Sequence, residues 1–263
     1  MTVTPRWRIA LRTLALVYLA LLLLIPVGVV FWRTFEPGLG AVWGSVTTPA
    51  AISAFWLTIV VTAIAVPVNT VLGVVCALVL ARSRVRGRVA LDTIIDLPFA
   101  ISPVVIGLSL VLVYGAGGWI DLPFQVIFSV PGIVLATIFV SLPFVVREVT
   151  PVLYEVGDEQ EQAAATLGAS RWQTFWRITL PAIRWGIAYG VILSVARAVG
   201  EFGAVTVVSG KIAGETQTLT VLVEQRWTNF DIAGAYAASV LLAVIALTTL
   251  LAMTLIKPRR EDA

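Results

Sequence analysis

Residues 55–81 read FWLTIVVTAIAVPVNTVLGVVCALVLA, so that from Phe55 to Ala81 there are 27 consecutive residues without Asp, Glu, Lys or Arg. A bilayer hydrocarbon core about 30 Å thick is crossed by roughly 20 apolar residues in helical form. The run lacks the period-two alternation that a membrane-spanning β-strand would need. It is read as a transmembrane helix. The same reading applies to Thr13–Trp32, Leu97–Tyr114, Val126–Val146 and Ile232–Ile256, all uncharged. A sixth stretch, Trp185–Val208, is long enough but carries Arg197 and Glu201 in its middle. The expectation is an all-α membrane protein of six spans, forming a single transmembrane domain over residues 1–263.

Working outward, the whole 263-residue chain is 59% hydrophobic and only 13% charged, with a mean hydropathy of +0.97. A soluble domain carries about 25% charge, so an ordinary soluble enzyme is excluded. There is no His and a single Cys, Cys76. That removes imidazole-ligated metals, His-based triads and intramolecular disulfides. Cys76 itself reads as a small buried apolar residue. No catalytic or metal-ligating residue is assigned.

The basic residues set an orientation. With the N-terminus in the cytoplasm, the inner segments hold Arg6, Arg8 and Arg12; Arg82, Arg84, Arg86 and Arg88; Arg147, Arg171, Arg177 and Arg184; and Lys257, Arg259 and Arg260. The outer segments hold Arg33, Lys211 and Arg226. Fourteen against three is the bias expected when both termini are cytoplasmic. The N-terminal basic and apolar run could be a secretory signal, but it is too long and ends in Val30-Phe31-Trp32-Arg33 without an A-x-A-like site. It is read as an uncleaved first helix. The excess of Arg serves topology, and no nucleic acid is involved.

The longest connection, 147–184, is cytoplasmic in this orientation. Asp158 with Glu161 three residues on looks like a capping box, with Glu159 beside it in the first turn. It opens a helix through Gln162, Ala163 and Ala164 that Gly168 stops in a left-handed C′ position. Ser170-Arg171-Trp172-Gln173 is a second capping box, starting a helix with Trp172, Phe175, Trp176 and Thr179 on one face. Pro181 ends that helix or marks its junction with the fifth span. The elbow is either a connector lying among lipid headgroups or a docking surface for a cytoplasmic protein, small residues allowing close approach.

Gln162-Ala163-Ala164, three residues, Gly168, nine residues, and Ile178-x-Leu180-Pro181 resemble the EAA loop of ABC-importer permeases at every spacing. The one departure is that the motif's Glu falls on Gln162, with Glu161 one residue early. An orienting salt bridge from that Glu is therefore weakened or relocated here. Arg197-Ala198-Val199-Gly200-Glu201-Phe202-Gly203-Ala204-Val205 and Gly214-Glu215-Thr216 resemble the sulfate/thiosulfate permeases of that class, over about Leu14 to Lys257. The resemblance implies the type I importer permease (MetI-like) fold. It further implies a second, different permease chain, two ATPase subunits coupled through the EAA loop, and an extracytoplasmic sulfate-binding protein. Molybdate and tungstate permeases share R-x-x-G-E-F-G and G-E-T, so either anion is the alternative substrate. A P-loop needs G-x-x-x-x-G-K-[ST], and Lys211-Ile212 and Lys257-Pro258 complete none. ATP and Mg would sit on the partner, and this chain would bind no cofactor.

Arg197 and Glu201, four apart, can pair on one helix face. Intramembrane charges are functional candidates by default. The pair is either internal packing or a transient contact on the anion route, Arg197 being the only cation within any expected span. Gly200 and Gly203 flank Glu201 and would permit a bend or a close neighbour. Gly186 and Gly190 form a small-xxx-small packing face. A secondary anion transporter or channel is the alternative class. It would show paired discontinuous spans or proton-relay acids.

Overall fold

The computed structural model describes residues 5–83 and 86–256. Arg84, Lys257, Arg259 and Arg260, and the terminal residues of the expected single domain, lie outside that set. All described elements are helical: α1 (Pro5–Leu19), α2 (Ile25–Phe35), α3 (Leu39–Val46), α4 (Pro49–Arg82), α5 (Arg88–Ala100), α6 (Pro103–Tyr114), α7 (Val130–Val156), α8 (Glu159–Thr166), α9 (Arg171–Thr174), α10 (Leu180–Val199), α11 (Gly203–Val208), α12 (Leu219–Thr228) and α13 (Ile232–Ile256). Single π-turns at Ala20–Leu24 and Phe175–Thr179 join α1 to α2 and α9 to α10.

Helix α4 begins where Thr48 accepts the Ala51 amide on its hydroxyl at 3.3 Å and Pro49 occupies the first turn, a favoured start because the Pro ring presets φ and its missing N–H costs nothing there. At 34 residues it is about 51 Å long, well beyond one bilayer core.

Among the described residues, five helices are long and apolar enough to cross a membrane, and the α5–α6 pair makes a sixth if taken as one span. That pair corrects the expected straight helix over Leu97–Tyr114: α5 and α6 meet at 110°. Pro103 disfavours helical geometry in the residue before it, and Ile101 and Ser102 are both extended in ψ. Alone, the 12 residues of α6 span about 18 Å, short of a 30 Å core.

The expected span Trp185–Val208 is also interrupted. A continuous helix runs from Arg171 to Val199, stops at Gly200, and resumes as the six-residue α11. Arg197 therefore lies in the last turn of α10 and Glu201 beyond it, not mid-helix. Helix α7 runs ten residues past Val146, to Gly157 with φ +69. Arg147, expected at the start of the cytoplasmic connection, is thereby part of α7.

The core is built on α4, α7 and α10, which pack along much of their lengths. Small residues let the backbones approach, the usual device where lipid removes any hydrophobic drive between helices. A Cβ on Gly190 would stand 2.9 Å from Val145 Cα, and one on Gly73 2.7 Å from Val145 Cβ. Gly186 and Gly190, expected as a packing face, both sit against α7. Buried Asn69 of α4 donates to Ser141 Oγ at 2.8 Å and to the Ile138 carbonyl at 3.2 Å on α7. By contrast, the most apolar window of Leu11–Phe35 has no buried residue.

Candidate functional site

The segment between α7 and α10 folds as a helix, a glycine and a second helix. Gln162 N–H bonds the Asp158 carbonyl at 2.9 Å and opens α8, but the Asp158 side chain forms no cap bond. The expected Asp158–Glu161 capping box is thus absent: Asp158, at φ −117 and ψ 4, lacks the extended geometry of a cap, and the Glu161 carboxylate is engaged elsewhere. At the other end the amide of Gly168 bonds the Ala165 carbonyl and that of Ala169 the Ala164 carbonyl, both at 3.0 Å. With Gly168 at φ +82 this is a Schellman stop, which a residue with a Cβ adopts only under strain. The Ser170–Gln173 capping box forms in both directions, at 2.9 and 3.3 Å.

Trp172, Phe175 and Trp176 cluster with ring centroids 5.5–6.2 Å apart. Thr179 does not share their face. The π-turn adds one residue to the register and turns Thr179 inward, where it is buried and donates to Glu161 Oε1 at 2.8 Å. Pro181 sits in the first turn of α10 without ending the helix, so it marks a junction. Ile178 and Leu180 are half-buried in it.

Helix α8 presents two faces. Glu161 is half-buried, its Oε2 3.1 Å from Arg82 Nε. Glu159, Gln162, Ala163, Gly168 and Arg171 are exposed, and Leu167, which sequence reasoning passed over, is 88% exposed. Its place just before the C′ glycine of an otherwise polar helix was the available signal.

The second set of expected residues lies where α10 breaks. Arg197 Nη2 is 2.6 Å from Glu201 Oε2, in a contact not aligned as a hydrogen bond, and the Glu201 side chain is 1% exposed. Glu201 Oε1 accepts the Ala204 amide at 2.8 Å, and its carbonyl accepts the Thr220 hydroxyl at 2.7 Å. Glu201 thereby stitches the turn between α10 and α11 and fastens it to α12. Gly200 closes α10. Gly203 is where the two interrupted spans touch: a Cβ there would stand 2.8 Å from Pro103 Cβ, and one on Gly107 2.8 Å from the Ala204 carbonyl. Paired discontinuous helices therefore do occur, and they do not separate this chain from a secondary transporter as expected.

Arg147 and Arg88, which the sequence reading counts only toward topology, also hold side chains of neighbouring helices. Arg147 Nε donates to Asp96 Oδ1 at 2.8 Å, Nη2 reaches Asp96 Oδ2, and Asp92 Oδ1 is 2.9 Å away. The i,i+4 spacing of Asp92 and Asp96 put both on one face of α5 and was the readable signal. Arg88 donates to the Tyr154 hydroxyl, which donates to the Leu80 carbonyl at 3.0 Å.

A permease-like helical core with an exposed helix–glycine–helix elbow is the class these features define, and the comparisons agree. Residues 69–262 match the family described as binding-protein-dependent transport system inner membrane component; the chain belongs to that family and is a multi-pass inner-membrane transport protein. It is 52% identical over 254 residues, 95% of this chain and 92% of the relative, to the sulfate transport system permease protein CysW of Synechocystis sp.. Identity is 46% over 248 residues, 92% and 85% of the two chains, with CysW of Escherichia coli K12. It is 41% over 239 residues, 89% and 86%, with the sulfate transport system permease protein CysT of Synechococcus elongatus. The fold matches a bacterial ABC transporter involved in the import of the acidic polysaccharide alginate, with TM-score 0.78, 20% identity, and 98% and 96% of the two chains covered. The all-α importer-permease fold expected from the sequence is the one found.

Proposed function

We propose that this chain is the permease subunit of an ATP-driven importer that carries sulfate, and with it thiosulfate, into the cytoplasm. The observation that carries the reading is the 52% identity with a sulfate permease over 95% of the chain. The 41% identity with a CysT permease over 89% of the chain supports pairing with a second, different permease chain. The family's dependence on a binding protein supports an extracytoplasmic sulfate-binding partner. Two ATPase subunits, holding ATP and Mg, supply the energy, since no P-loop sequence occurs in this chain. They dock on the exposed face of Asp158–Gly168, and the basic-residue bias supports a cytoplasmic position for that face and for both termini.

ATP-driven closure of the ATPase pair displaces the elbow and switches the helices between discrete packings. Arg197 supplies hydrogen-bond donors to the passing anion. It holds that anion weakly because its charge is shared with Glu201, and weak binding lets the ion leave. The deciding experiment purifies the complex and measures binding-protein-dependent ATPase activity with sulfate, thiosulfate and molybdate. Stimulation by sulfate and thiosulfate is expected. Stimulation by molybdate alone would reassign the substrate, and sulfate uptake without any ATPase would reassign the class.

A further inference from the structure

Arg82 is the last residue of α4, and all three of its guanidinium nitrogens are engaged by the last turn of α7 and the segment that follows it. Nη1 donates to the Leu153 carbonyl at 2.9 Å, Nη2 to the Gly157 carbonyl at 2.6 Å, and Nε to Glu161 Oε2 at 3.1 Å. Glu161 Oε1 in turn accepts the Thr179 hydroxyl at 2.8 Å. The electrostatics agree with the placement. Arg82 stands at the negative ends of α4 and α7, and Glu161 lies in the first turn, the positive end, of α8. Four helical segments converge on this one ion pair.

The one-residue displacement of the acid within the loop motif explains the burial. Moving the carboxylate from position 162 to 161 turns it about 100° around the helix, from the exposed face to the face against Arg82. Gln162 is left on the outer face. At its far end α4 holds a second contact: Thr58 Oγ1 accepts the Leu219 amide at 2.9 Å, adjacent to the Thr220 that bonds the Glu201 carbonyl. Thr58 and Arg82 stand about 36 Å apart along one helix.

We infer that Arg82 is a positioning residue for energy coupling. Its pair with Glu161 makes the Asp158–Gly168 segment and α4 move as one body. Displacement of the elbow then reaches the turn that holds Glu201 instead of being absorbed at Gly157 and Asp158. This rests on the reading of the elbow as the ATPase contact.

The test uses the whole reconstituted complex with Arg82→Ala, Glu161→Ala and the double variant, reading ATPase co-purification, ATP hydrolysis and sulfate uptake per ATP. Each single variant should keep the ATPase bound and hydrolysing while uptake per ATP falls about tenfold. The double should be no worse than the worse single, as for two residues acting as a unit. Arg82→Lys, which keeps the charge without the fork, should recover part of the loss. Uptake per ATP within twofold of the unaltered complex in Arg82→Ala, or losses that multiply in the double, would overturn the inference. So would loss of the ATPase from every variant including Arg82→Lys, which would make the pair part of the docking surface alone. An unaltered complex that binds no ATPase would instead defeat the functional reading on which the inference rests.

Discussion

Pro103 and Gly203 lie in contact at the point where two interrupted helices meet, and a Cβ on residue 203 would stand 2.8 Å from Pro103 Cβ. The ring of Pro103 cannot swing aside, because its φ is fixed. Gly203→Ala should therefore destabilise the fold by about 1–3 kcal/mol through overpacking. Gly200→Ala is the control, since a Cβ there would approach the Ala196 carbonyl oxygen of its own preceding turn at an ordinary 3.4 Å. Thermal unfolding in detergent checks both, and equal midpoints would show that the contact yields.

Removing Arg197 alone leaves a carboxylate that is 1% exposed without its counter-charge, a loss of about 3–5 kcal/mol for a buried pair. Arg197→Gln should consequently fail in folding before transport can be judged. Glu201→Gln keeps the acceptor used by the Ala204 amide, and Arg197→Gln/Glu201→Gln should recover most of the stability. Sulfate uptake by that folded double variant is expected to be lost. Uptake near the unaltered level would take Arg197 off the anion route and leave the pair a packing device.

Leu167 touches little of its own chain, so Leu167→Asp should change stability by less than about 0.5 kcal/mol, as surface substitutions do. It should nevertheless release the ATPase during purification. Gly168→Asp should release it as well, at an added cost of about 1–2 kcal/mol for a left-handed residue with a Cβ. Retention of the ATPase by both variants would move the docking surface elsewhere.

Arg147→Gln frees Asp92 and Asp96 to repel each other. All three side chains are between 36% and 46% exposed, so screening limits the loss to about 1 kcal/mol. An unfolding midpoint lower by about 2–4 °C is expected. Asp96→Asn should cost more than Asp92→Asn, because Asp96 takes the two-pronged contact.

The apolar runs made the helices legible, and the loop spacing made the elbow legible, because each is a local pattern. What stayed hidden was set by partners distant in the chain. The break at Ile101–Ser102 follows from Pro103, but its 110° angle depends on docking against Gly203 and Ala204. The stop at Gly200 is held by Glu201 and by Thr220, nineteen residues away. The helical course of α7 through Arg147 is not legible from the apolar run, which a charge closes at Val146. Asp92 and Asp96 neutralise that charge from another helix. The missing Glu161 half of the capping box has the same origin: Arg82, 79 residues from Glu161, claims the carboxylate that a local reading assigns to the helix start.

The bare most apolar window of Leu11–Phe35 bears on how the chain is assembled. A helix that buries no side chain of its most apolar stretch in its own protein gains nothing from waiting for the rest to fold. Its transfer from water to lipid supplies its stability outright. It can enter the bilayer first and alone, as an anchor laid down before the bundle exists. The α4–α7–α10 core, whose glycines must find one another, condenses afterwards beside it.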